Sequence, residues 1–326
     1  MATTRLGVSD LEITPIGLGS WAIGGGGNPY GWGPQSDEDS IAAIRCALDL
    51  GVNWIDTAAG YGRGHSEEVV GRAIAGRRHD VIVATKGGIL WKPDGSDIVN
   101  SLKADSIRRE VEASLKRLRV EVIDLYQIHW PVPDEEIEEG WGAVADLTKS
   151  GKIRYGGVSN FTVAQLERVR AIHPVTSLQP PYSLLERGVE SALLAHAAAN
   201  RIGVIVYSPL QAGLLSGKLT KARVDAFPND DWRRNNAHFQ APALTANLAF
   251  VEGLRAIAAR HGRPVAQIAV AWTLRRAEVT AAIVGGRSAA QVEEVVGAAE
   301  LALTAEDIAE IDALLRARER VLAKAA

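Results

Sequence analysis

The sequence contains a single cysteine among its 326 residues. One cysteine excludes an internal disulfide framework and a zinc site built from several thiolates, and no other residue pattern indicates a metal site. Cys46 lies in the run SIAAIRCALDLG, whose spacing of apolar residues predicts a helix. We therefore expect a buried structural thiol at this position rather than a reactive one.

Long apolar runs and a strong net charge are also missing. No apolar run reaches the roughly 18 residues that a membrane-spanning helix needs, so we expect no membrane partner. The N-terminal MATTRLGVSDLEITP lacks the basic start and apolar core of a secretory signal, which predicts a cytoplasmic protein. The formal net charge of −3 disfavours a nucleic-acid partner, because phosphates favour a basic surface. No apolar surface stripe identifies an interface, so the oligomeric state is left open.

What the sequence does contain is a regular alternation of short apolar runs and longer helix-like runs. The eight apolar runs are TPIGLGS, VNWID, DVIVATK, VIDLYQIH, IRYGGVSN, VTSLQ, GVIVYSP and TAAIVGG. Runs that are apolar on both faces are typical of parallel strands covered by helices. Eight strand–helix units predict an α/β protein, a (β/α)8 TIM barrel that occupies residues 1–326 as one domain.

A doubly wound open sheet is the alternative architecture. It usually has fewer units and a glycine-rich phosphate loop between its first strand and its first helix. GLGSWA at 17–22 has the glycine spacing of such a loop, but IGGGGNPYGWG follows it where a helix would have to begin. We therefore favour the barrel.

Three further segments fall outside the repeating units. TRLGVSDLEIT predicts a β-hairpin ahead of the barrel, which would plug its lower mouth. Residues 208–246 have no sustained periodicity, and a long structureless loop inside a compact domain is usually functional. TAEDIAEIDALLRARERVLAKAA predicts an extra C-terminal helix with a threonine N-cap.

Polar residues stand at the ends of most of the predicted strands. The carboxyl ends of the strands of such a barrel meet at one rim, where the active site is built. Each residue alone has an ordinary structural explanation, such as a turn cap for an aspartate. Their coincidence on one rim instead predicts an active site that contains Asp56, Tyr61, Lys86, His129, Ser159, Asn160, Gln179, Tyr207 and Ser208.

Four of these residues combine into a proton donor. A free phenol has a pKa of about 10, so a tyrosine alone is a poor acid or base near neutral pH. A nearby lysine ammonium lowers that pKa, and an aspartate holds the ammonium charged and in place. A neutral histidine can donate a hydrogen bond to a carbonyl oxygen and polarise it. Such a site can protonate a developing alkoxide but needs a hydride, which indicates a nicotinamide cofactor.

At these residues the sequence resembles the aldo-keto reductase family. The resemblance is carried by GLGSW, DTAAGYGRGHSEEVVGRAI, ATKGG, DLYQIHWP, GKIRYGGVSNF, YSPLQAGLLSGK and IVGGRSAAQVEE, in the order and spacing of that family. These stretches extend over nearly the whole chain. They are similar to bacterial aldehyde- or sugar-type members, close to the inositol-locus and potassium-channel β-subunit-like branches.

The resemblance implies a catalytic tetrad of Asp56, Tyr61, Lys86 and His129. Tyr61 would be the general acid in reduction and the general base in oxidation. Lys86 would tune the tyrosine, and Asp56 would hold the lysine. His129 would orient the substrate carbonyl. Glu67 and Glu68 have the simpler interpretation of charges that favour the first turn of a helix.

The resemblance also implies a dinucleotide along the rim. The nicotinamide would be held by Ser159, Asn160, Gln179 and Tyr207, the last by stacking. The pyrophosphate would lie along Ser208, Leu210, Ser216, Gly217 and Lys218, and the adenosine end at Gly285, Arg287, Gln291 and Glu294. Arg287 could pair with a 2′-phosphate, which favours NADPH and leaves NAD possible. Val295 stands where the family often has asparagine, a departure at one adenine contact.

Tryptophans follow three of the predicted strands. We expect Trp21, Trp91 and Trp130 to wall an aromatic substrate pocket that suits small aldehydes or the apolar faces of sugars. The expected activity is NADPH-dependent, reversible reduction of an aldehyde, ketone or sugar carbonyl. Two alternatives stay open: an NAD-linked sugar or polyol dehydrogenase, and a cofactor-binding redox sensor or auxiliary subunit with slow turnover.

Overall fold

The computed structural model describes residues 1–229 and 231–325 of the chain. Asp230, within the 208–246 stretch, and Ala326, at the end of the expected C-terminal helix, lie outside the described residues. The strands are β1 (Thr4–Arg5), β2 (Glu12–Ile13), β3 (Ile16–Gly19), β4 (Trp54–Asp56), β5 (Ile82–Gly87), β6 (Ile89–Trp91), β7 (Ile98–Asn100), β8 (Ile123–Ile128), β9 (Ile153–Ser159), β10 (Ser177–Gln179), β11 (Gly203–Val206) and β12 (Ala281–Gly285). The α-helices are α1 (Asp37–Asp49), α2 (His65–Ala73), α3 (Ala104–Leu118), α4 (Ile137–Lys149), α5 (Val163–Arg170), α6 (Leu193–Ala199), α7 (Lys221–Asp225), α8 (Ala243–His261), α9 (Val265–Leu274), α10 (Ala289–Val296) and α11 (Ala305–Ala325).

Eight parallel strands in the described part of the chain close into a barrel. Their order is β3, β4, β5, β8, β9, β10, β11 and β12, and β12 pairs back with β3. The expected (β/α)8 fold is confirmed, because each of the eight apolar runs contains one barrel strand to within one residue. The register aligns Lys86 with Gln127 and Ser159 with Gln179. Neighbouring strands therefore deliver their terminal side chains to one rim.

The hairpin β1–β2 lies under the barrel and plugs the mouth opposite that rim, as expected. Leu6, Leu11 and Ile13 are buried in one cluster with Trp54 and other inward-facing barrel residues. The Trp54 indole donates a hydrogen bond to Thr14 O at 3.0 Å, which ties the barrel interior to the end of the hairpin. Full burial of one leucine side chain is worth about 1.5–3 kcal/mol, so this plug stabilises the barrel.

The ends of the first and last helices follow the expected signals. Ser36 caps α1 by accepting a hydrogen bond from Asp39 N, and Gly51 just beyond that helix has a left-handed φ of 88°. Thr304 Oγ1 accepts from Asp307 N at the start of the extra C-terminal helix α11. None of the helices within 1–229 and 231–325 is long and apolar enough to cross a membrane.

Residues 208–246 are not structureless, so that expectation is wrong. In addition to α7, they contain short 3-10 helices at Leu214–Ser216, Trp232–Asn235 and Ala237–Phe239. Each turn is too short to show a helical period in the sequence. The turns nevertheless share a small core that contains Leu214, Val224, Phe239 and Leu244.

A second hairpin, β6–β7, is absent from the sequence-based set of strands. Ile89 pairs with Asn100 and Trp91 with Ile98 in antiparallel register. The connecting stretch KPDGSD holds the Pro-Asp-Gly combination that favours tight turns, so the signal was present. The hairpin matters for function because it carries Trp91 to the rim.

Cys46 is half-buried rather than buried, which corrects the expectation for this thiol. Its Sγ lies 3.8 Å from Ala289 O and 3.9 Å from Glu293 Oε1, both of helix α10. Burial and the nearby carboxylate raise the pKa of the thiol. Cys46 is thus a packing residue between α1 and α10 with little thiolate character.

Candidate active site

A buried ion pair lies at the bottom of the rim. Asp56 is the last residue of β4, and Lys86 lies near the end of the neighbouring β5. Lys86 Nζ donates hydrogen bonds to Asp56 Oδ1 at 2.5 Å and to Thr57 O at 3.1 Å. Both charged side chains are almost wholly shielded from solvent. Such a pair needs its hydrogen bonds, because an unpaired charge in this position would be very costly.

Tyr61 begins a short 3-10 turn after β4, and its hydroxyl oxygen lies 3.2 Å from Lys86 Nζ. The turn approaches the loop between β3 and α1, residues 20–36, which we call the first loop. Gly62 has a left-handed φ of 57°, and a Cβ at this position would lie 2.1 Å from Gly24 O. Only glycine tolerates both conditions. The glycines of this turn therefore allow the tyrosine to sit over the ion pair.

Burial and charge act on Tyr61 in opposite directions. Burial raises the pKa of Tyr61, and the Lys86 ammonium offsets only part of that rise. The expectation that the lysine makes the phenol more acidic than usual is incomplete, since burial prevails. Burial would lower the pKa of Lys86, but the ion pair with Asp56 outweighs it and raises that pKa. At neutral pH a protonated phenol therefore stands beside a charged ammonium.

His129 follows β8 and faces the phenol. The two ring centroids are 5.6 Å apart, and the rings are inclined by 80°. Burial, together with the Lys86 ammonium, lowers the pKa of His129 well below its usual value. The imidazole is therefore neutral at neutral pH, and a neutral ring carries one N–H donor and one acceptor nitrogen. The site thus offers a hydrogen-bond donor beside the phenol without adding a second positive charge.

Two glutamines support the free oxygen of the aspartate. Gln179 Nε2 donates to Asp56 Oδ2 at 2.8 Å, and Gln127 Nε2 lies 3.4 Å from the same oxygen. Gln127 is fully buried in the barrel and is absent from the sequence-based set. A polar residue two positions before His129 in the run VIDLYQIH was the available signal. The sequence assigned Gln179 only to the cofactor, whereas its amide nitrogen also supports the tetrad.

Asn160 stands in a left-handed conformation, with φ of 64°, at the end of β9. Its Nδ2 donates to His129 O and to Ser159 Oγ, each at 3.0 Å, and its Oδ1 accepts from Tyr207 OH at 2.9 Å. Such a backbone is costly for a residue with a side chain and is found mainly where surrounding contacts hold it. The hydrogen bonds therefore fix three strand ends relative to one another.

A cavity of about 760 Å³ opens above these residues and is lined by Asp56, Tyr61 and His129, with Lys86 beneath them. Its walls bring together most of the positions expected for a dinucleotide. These are Ser159, Asn160, Gln179, Tyr207, Ser208, Leu210, Ser216, Lys218, Gly285, Arg287, Gln291 and Glu294. Gly217 lies between two wall residues but does not line the cavity itself.

The segment that follows β11, residues 207–242, has an unusually turned backbone along this cavity. Left-handed φ values occur at Ser208 (56°), Gln211 (44°), Ala212 (54°), Gly213 (88°) and Gly217 (76°). Non-glycine residues in this region cost about 1–3 kcal/mol each and cluster at ligand sites. Ser216, Lys218 and Arg223 add a hydroxyl and two positive charges to the same wall. This donor set fits the diphosphate of a dinucleotide.

The charged residues at the far end of the cavity are already engaged. Lys218 Nζ forms an ion pair with the Glu294 carboxylate. Arg287 Nε donates to Gln35 Oε1 at 2.7 Å, and Nη1 donates to Trp32 O at 3.1 Å. The guanidinium that the sequence assigns to a 2′-phosphate therefore holds the first loop in this structure.

The three expected tryptophans all line the cavity. Trp21 stacks with Tyr61 at a centroid distance of 6.2 Å. The Trp91 indole donates to Gly60 O at 3.0 Å, which fixes β6 against the turn that carries the tyrosine. Trp130 is 44% exposed. Trp21 and Trp91 are therefore walls of the cavity beside Tyr61, and Trp130 stands at its open edge.

Residues of the segment that follows β11 pack against these rings and are absent from the sequence-based set. Trp232 stacks on Trp21 with centroids 5.3 Å apart, and the Arg233 guanidinium lies 5.0 Å from the Trp32 ring centroid. Asp231 is buried and pairs with Arg233. These contacts join loops separated by some two hundred positions, so no local signal in NDDWRRNN could have found them.

Glu67 makes contacts that its interpretation as a first-turn helix charge does not include. It does lie in the first turn of α2, but its side chain is fully buried. Glu67 Oε1 accepts from Thr85 Oγ1 at 2.6 Å, and Oε2 accepts from Arg117 Nε at 2.6 Å. The pair holds α2, α3 and the residue before Lys86 together, which supports the tetrad from behind.

A phenol held over a lysine–aspartate pair at the rim of a parallel barrel suits proton transfer to an oxygen whose carbon gains a hydride. The chain belongs to the Aldo/keto reductase family, whose model matches residues 15–316. It is an NAD(P)H-dependent aldo-keto reductase, an oxidoreductase that acts on carbonyl substrates.

Known relatives are similar over almost the whole chain. Aldo-keto reductase YhdN of Bacillus subtilis is 40% identical over 318 residues, which are 97% of this chain and 94% of the relative. The NADH-specific methylglyoxal reductase of Escherichia coli is 35% identical over 332 residues, which are 98% of this chain and 100% of the relative. The solved structure of the glycerol dehydrogenase AKR11B4 from Gluconobacter oxydans has a TM-score of 0.86 and 39% identity, and covers 97% of this chain and 95% of its own.

Proposed function

We propose that this chain reduces aldehydes, ketones or sugar carbonyls with NADPH, reversibly, and that Asp56, Tyr61, Lys86 and His129 carry the chemistry. The observation that carries the proposal is the position of Lys86 Nζ, 2.5 Å from Asp56 Oδ1 and 3.2 Å from Tyr61 OH. One ammonium links a buried carboxylate to a phenol at the floor of the cavity. This arrangement favours a proton donor over a nucleophile, because no activated thiol or serine takes part in it.

The reduced nicotinamide, when bound, supplies the hydride to the carbonyl carbon. His129 donates a hydrogen bond to the carbonyl oxygen and orients it toward Tyr61 OH. Tyr61 then gives its proton to the developing alkoxide, and Lys86 stabilises the phenolate that remains. Asp56 keeps the ammonium charged throughout. In oxidation the same phenolate removes the proton from the alcohol.

The proposed cofactor contacts follow the walls of the cavity. Ser159, Asn160 and Gln179 would hold the carboxamide of the nicotinamide, and Tyr207 would stack on its ring. Ser208, Leu210, Ser216, Gly217 and Lys218 would follow the pyrophosphate. Gly285, Arg287, Gln291 and Glu294 would surround the adenosine end. The left-handed backbone between Ser208 and Gly217 supports the pyrophosphate position.

The aromatic walls support a small carbonyl substrate with a flat or apolar face. Trp21 and Trp91 flank the tetrad, and Trp130 stands at the open edge. We propose methylglyoxal and glyceraldehyde as the first probes. One relative is named as a methylglyoxal reductase and another as a glycerol dehydrogenase. We further propose that the chain works in the cytoplasm as a single domain.

An NAD-linked dehydrogenase of sugars or polyols is the second candidate. It is supported by the engagement of the Arg287 guanidinium with Gln35 and Trp32, contacts with which a 2′-phosphate would have to compete. One relative is named NADH-specific. The choice between the two candidates therefore depends on which partner Arg287 takes when cofactor is present.

The test compares oxidation of NADPH and NADH by wild type and Tyr61→Phe with methylglyoxal and glyceraldehyde. We expect the substitution to lower kcat by about 100- to 10,000-fold, since the phenol proton is lost while the ring remains. Cofactor binding, followed by fluorescence, should survive the substitution. Equal turnover by both proteins would refute the role of Tyr61. Tight binding of NADPH without turnover on a wide carbonyl panel would favour the sensor alternative.

A further inference from the structure

Arg287 joins the two ends of the cavity. It follows β12 at the proposed adenosine end, yet all three guanidinium nitrogens donate to the first loop. Nε donates to Gln35 Oε1 at 2.7 Å, Nη1 to Trp32 O at 3.1 Å, and Nη2 to Pro34 O. Gln35 Nε2 donates back to Arg287 O at 2.9 Å. These reciprocal bonds, which we call the loop clip, fix the first loop to the last strand of the barrel.

The loop clip reaches the carbonyl pocket through packed rings. Trp32 lines the cavity and meets the edge of Trp21 with centroids 5.3 Å apart and planes at 89°. Trp21 in turn stacks with Tyr61. Aromatic pairs of this kind contribute about 0.5–1.5 kcal/mol beyond their buried area, so each ring constrains its neighbour. A change at the guanidinium is therefore transmitted to the wall beside the proton donor.

Trp32 is held between two arginine side chains, Arg233 and Arg287. The Arg233 guanidinium lies 5.0 Å from the Trp32 ring centroid, while Arg287 holds the backbone oxygen of the same residue. Arg233 is neutralised by the buried Asp231. The Arg287 guanidinium donates only to carbonyl and amide oxygens of the first loop among the described residues. The carboxylate of Asp231, which pairs with Arg233, acts on it only from beyond salt-bridge distance. The Arg287 guanidinium therefore lacks a full negative partner.

An anion near Arg287 would compete with these neutral acceptors. Hydrogen bonds from arginine to a phosphate join two opposite charges and are often bidentate, so they are stronger than those to neutral oxygens. NADPH carries such a phosphate on its adenosine ribose, and NADH has a hydroxyl there. The two cofactors should therefore differ in whether the guanidinium stays on the first loop.

We propose that Arg287 makes the carbonyl pocket sensitive to the identity of the cofactor. With NADH the loop clip stays closed and Trp32 is held against Trp21. With NADPH the 2′-phosphate draws the guanidinium away, the first loop is released, and carbonyl binding weakens. This inference rests on the proposed position of the adenosine end. Arg287 is thus a positioning residue for the carbonyl and a recognition residue for the phosphate.

The first experiment measures hydrogen exchange of residues 28–35 in the full chain, alone and with saturating NAD+ or NADP+. We expect faster exchange with NADP+ than with NAD+, because only NADP+ opens the loop clip. The matching kinetic measurement is the KM for methylglyoxal at saturating NADH and NADPH. We expect a value at least about fivefold higher with NADPH, the lower end of usual coupling between two sites.

Two substitutions at Gln35 change the loop clip in opposite directions. Gln35→Leu removes an acceptor from Arg287, so the first loop of the free protein should exchange faster. The KM with NADH should then rise toward the NADPH value. Gln35→Glu supplies a charged acceptor that holds the guanidinium more strongly. The dissociation constant for NADPH, measured by fluorescence, should fall with leucine and rise with glutamate, because binding and loop closure are reciprocally linked.

The outcomes separate this inference from the proposed function. Turnover with both cofactors, but equal KM values and equal exchange of the first loop, would overturn the role of Arg287 and leave the reductase intact. Binding of NAD(H) alone would also overturn it, because no 2′-phosphate would then reach the guanidinium. Absence of turnover together with unequal loop exchange would support the loop clip and count against the proposed function. If both Gln35 variants shifted the NADPH dissociation constant in the same direction, Gln35 would have only a structural role, and the coupling through the loop clip would be overturned.

Discussion

Lys86 Nζ and Asp56 Oδ1 are 2.5 Å apart in a region that solvent hardly reaches. The ammonium is charged because the carboxylate is present, and the carboxylate keeps its second oxygen on the amide of Gln179. Both side chains are shielded from bulk solvent, so hydration compensates poorly for a lost partner. The pair is therefore a structural unit as well as the base of the tetrad.

Removal of one member of this pair should cost stability and activity together. Asp56→Asn leaves a buried ammonium without its counterion, which destabilises by about 3–5 kcal/mol. The kcat for reduction should fall as well, because the pKa of Lys86 is no longer raised by the aspartate. Denaturant unfolding measures the first effect, and steady-state kinetics measures the second.

The double variant Asp56→Asn/Lys86→Met separates the two effects. It removes both charges, and an uncharged pair of similar volume is often tolerated in a buried site. We expect most of the lost stability to return while the activity stays low. A double variant as unstable as Asp56→Asn would show that the cavity and packing, not the uncompensated charge, caused the loss.

The kcat/KM for reduction should not fall at about pH 6.5, where an ordinary histidine takes up a proton. Burial, with Lys86, lowers the pKa of His129, so the imidazole stays neutral well below its ordinary pKa of about 6.5. Burial raises the pKa of Tyr61, so the phenol stays protonated through the neutral range. We therefore expect kcat/KM for reduction to stay flat between about pH 6 and pH 9. Oxidation should instead speed up as pH rises, because it needs the phenolate.

A pH series of both directions checks this expectation, with His129→Gln as the control. Glutamine keeps a donor near the carbonyl oxygen but cannot titrate. An acid limb near pH 6.5 in wild type that disappears in His129→Gln would contradict a neutral, depressed histidine. A flat profile in both proteins would support it.

The barrel and the meeting of Asp56 and Lys86 at one rim were predictable because their signals are local. Each strand is a short apolar run, and the side chain at its carboxyl end points to the rim whatever the rest of the chain does. Asp56 and Lys86 could thus be placed at one rim from sequence alone. The distance between these two side chains depends on packing, which could not be predicted from the sequence. The same is true of the pKa of Tyr61, which burial raises more than the charge of Lys86 lowers it.

Contacts between distant loops could not be predicted in this way. Arg287 and Gln35 are 252 positions apart, and an arginine at the start of a helix looks the same whether it meets a phosphate or a loop. Glu67 likewise has the sequence context of a first-turn helix charge. Its carboxylate can be buried because it is paired with Arg117, which lies 50 positions away on the next helix. Partner choice of long polar side chains is decided by tertiary structure.

The hairpin plug should affect stability without affecting the site. Leu11 is buried in the cluster that contains Trp54, at the mouth opposite the tetrad. Leu11→Ala leaves a cavity there, and comparable changes cost about 2–5 kcal/mol. The KM for the carbonyl and the dissociation constant for the cofactor should not change. Val8→Ala in the same hairpin is the matched control, because Val8 is 46% exposed.

Thermal or denaturant unfolding of both variants, with kinetics at a temperature where each is folded, checks the role of the plug. A loss of only a few tenths of a kcal/mol for Leu11→Ala would mean that the hairpin is dispensable to the barrel. A raised KM in the folded variant would mean that the plug also shapes the rim.

Glu110 should make stability fall as the pH rises through neutrality. It lies on α3, where Oε2 accepts from Gly88 N at 2.8 Å and Oε1 accepts from Ser106 Oγ at 3.1 Å. Burial raises the pKa of Glu110 to about 7. A carboxyl group whose pKa is higher in the folded than in the unfolded state stabilises the fold. This stabilisation is complete at a pH below the unfolded pKa and is lost as the pH rises through the folded pKa. The protonated form is therefore the one that suits this site.

Glu110→Gln removes the titration while it keeps a carbonyl oxygen to accept from Gly88 N. From about pH 5 to pH 8 the wild type should lose about 2–3 kcal/mol relative to this variant, as the shift in pKa requires. Urea unfolding at several pH values measures the difference. Glu112→Gln on the same helix is the matched control, because it makes the same chemical change at a half-exposed side chain and leaves Glu110 in place. The same pH dependence of the unfolding free energy in wild type and Glu110→Gln would contradict a raised pKa of Glu110. Any slope that remained would then belong to another group.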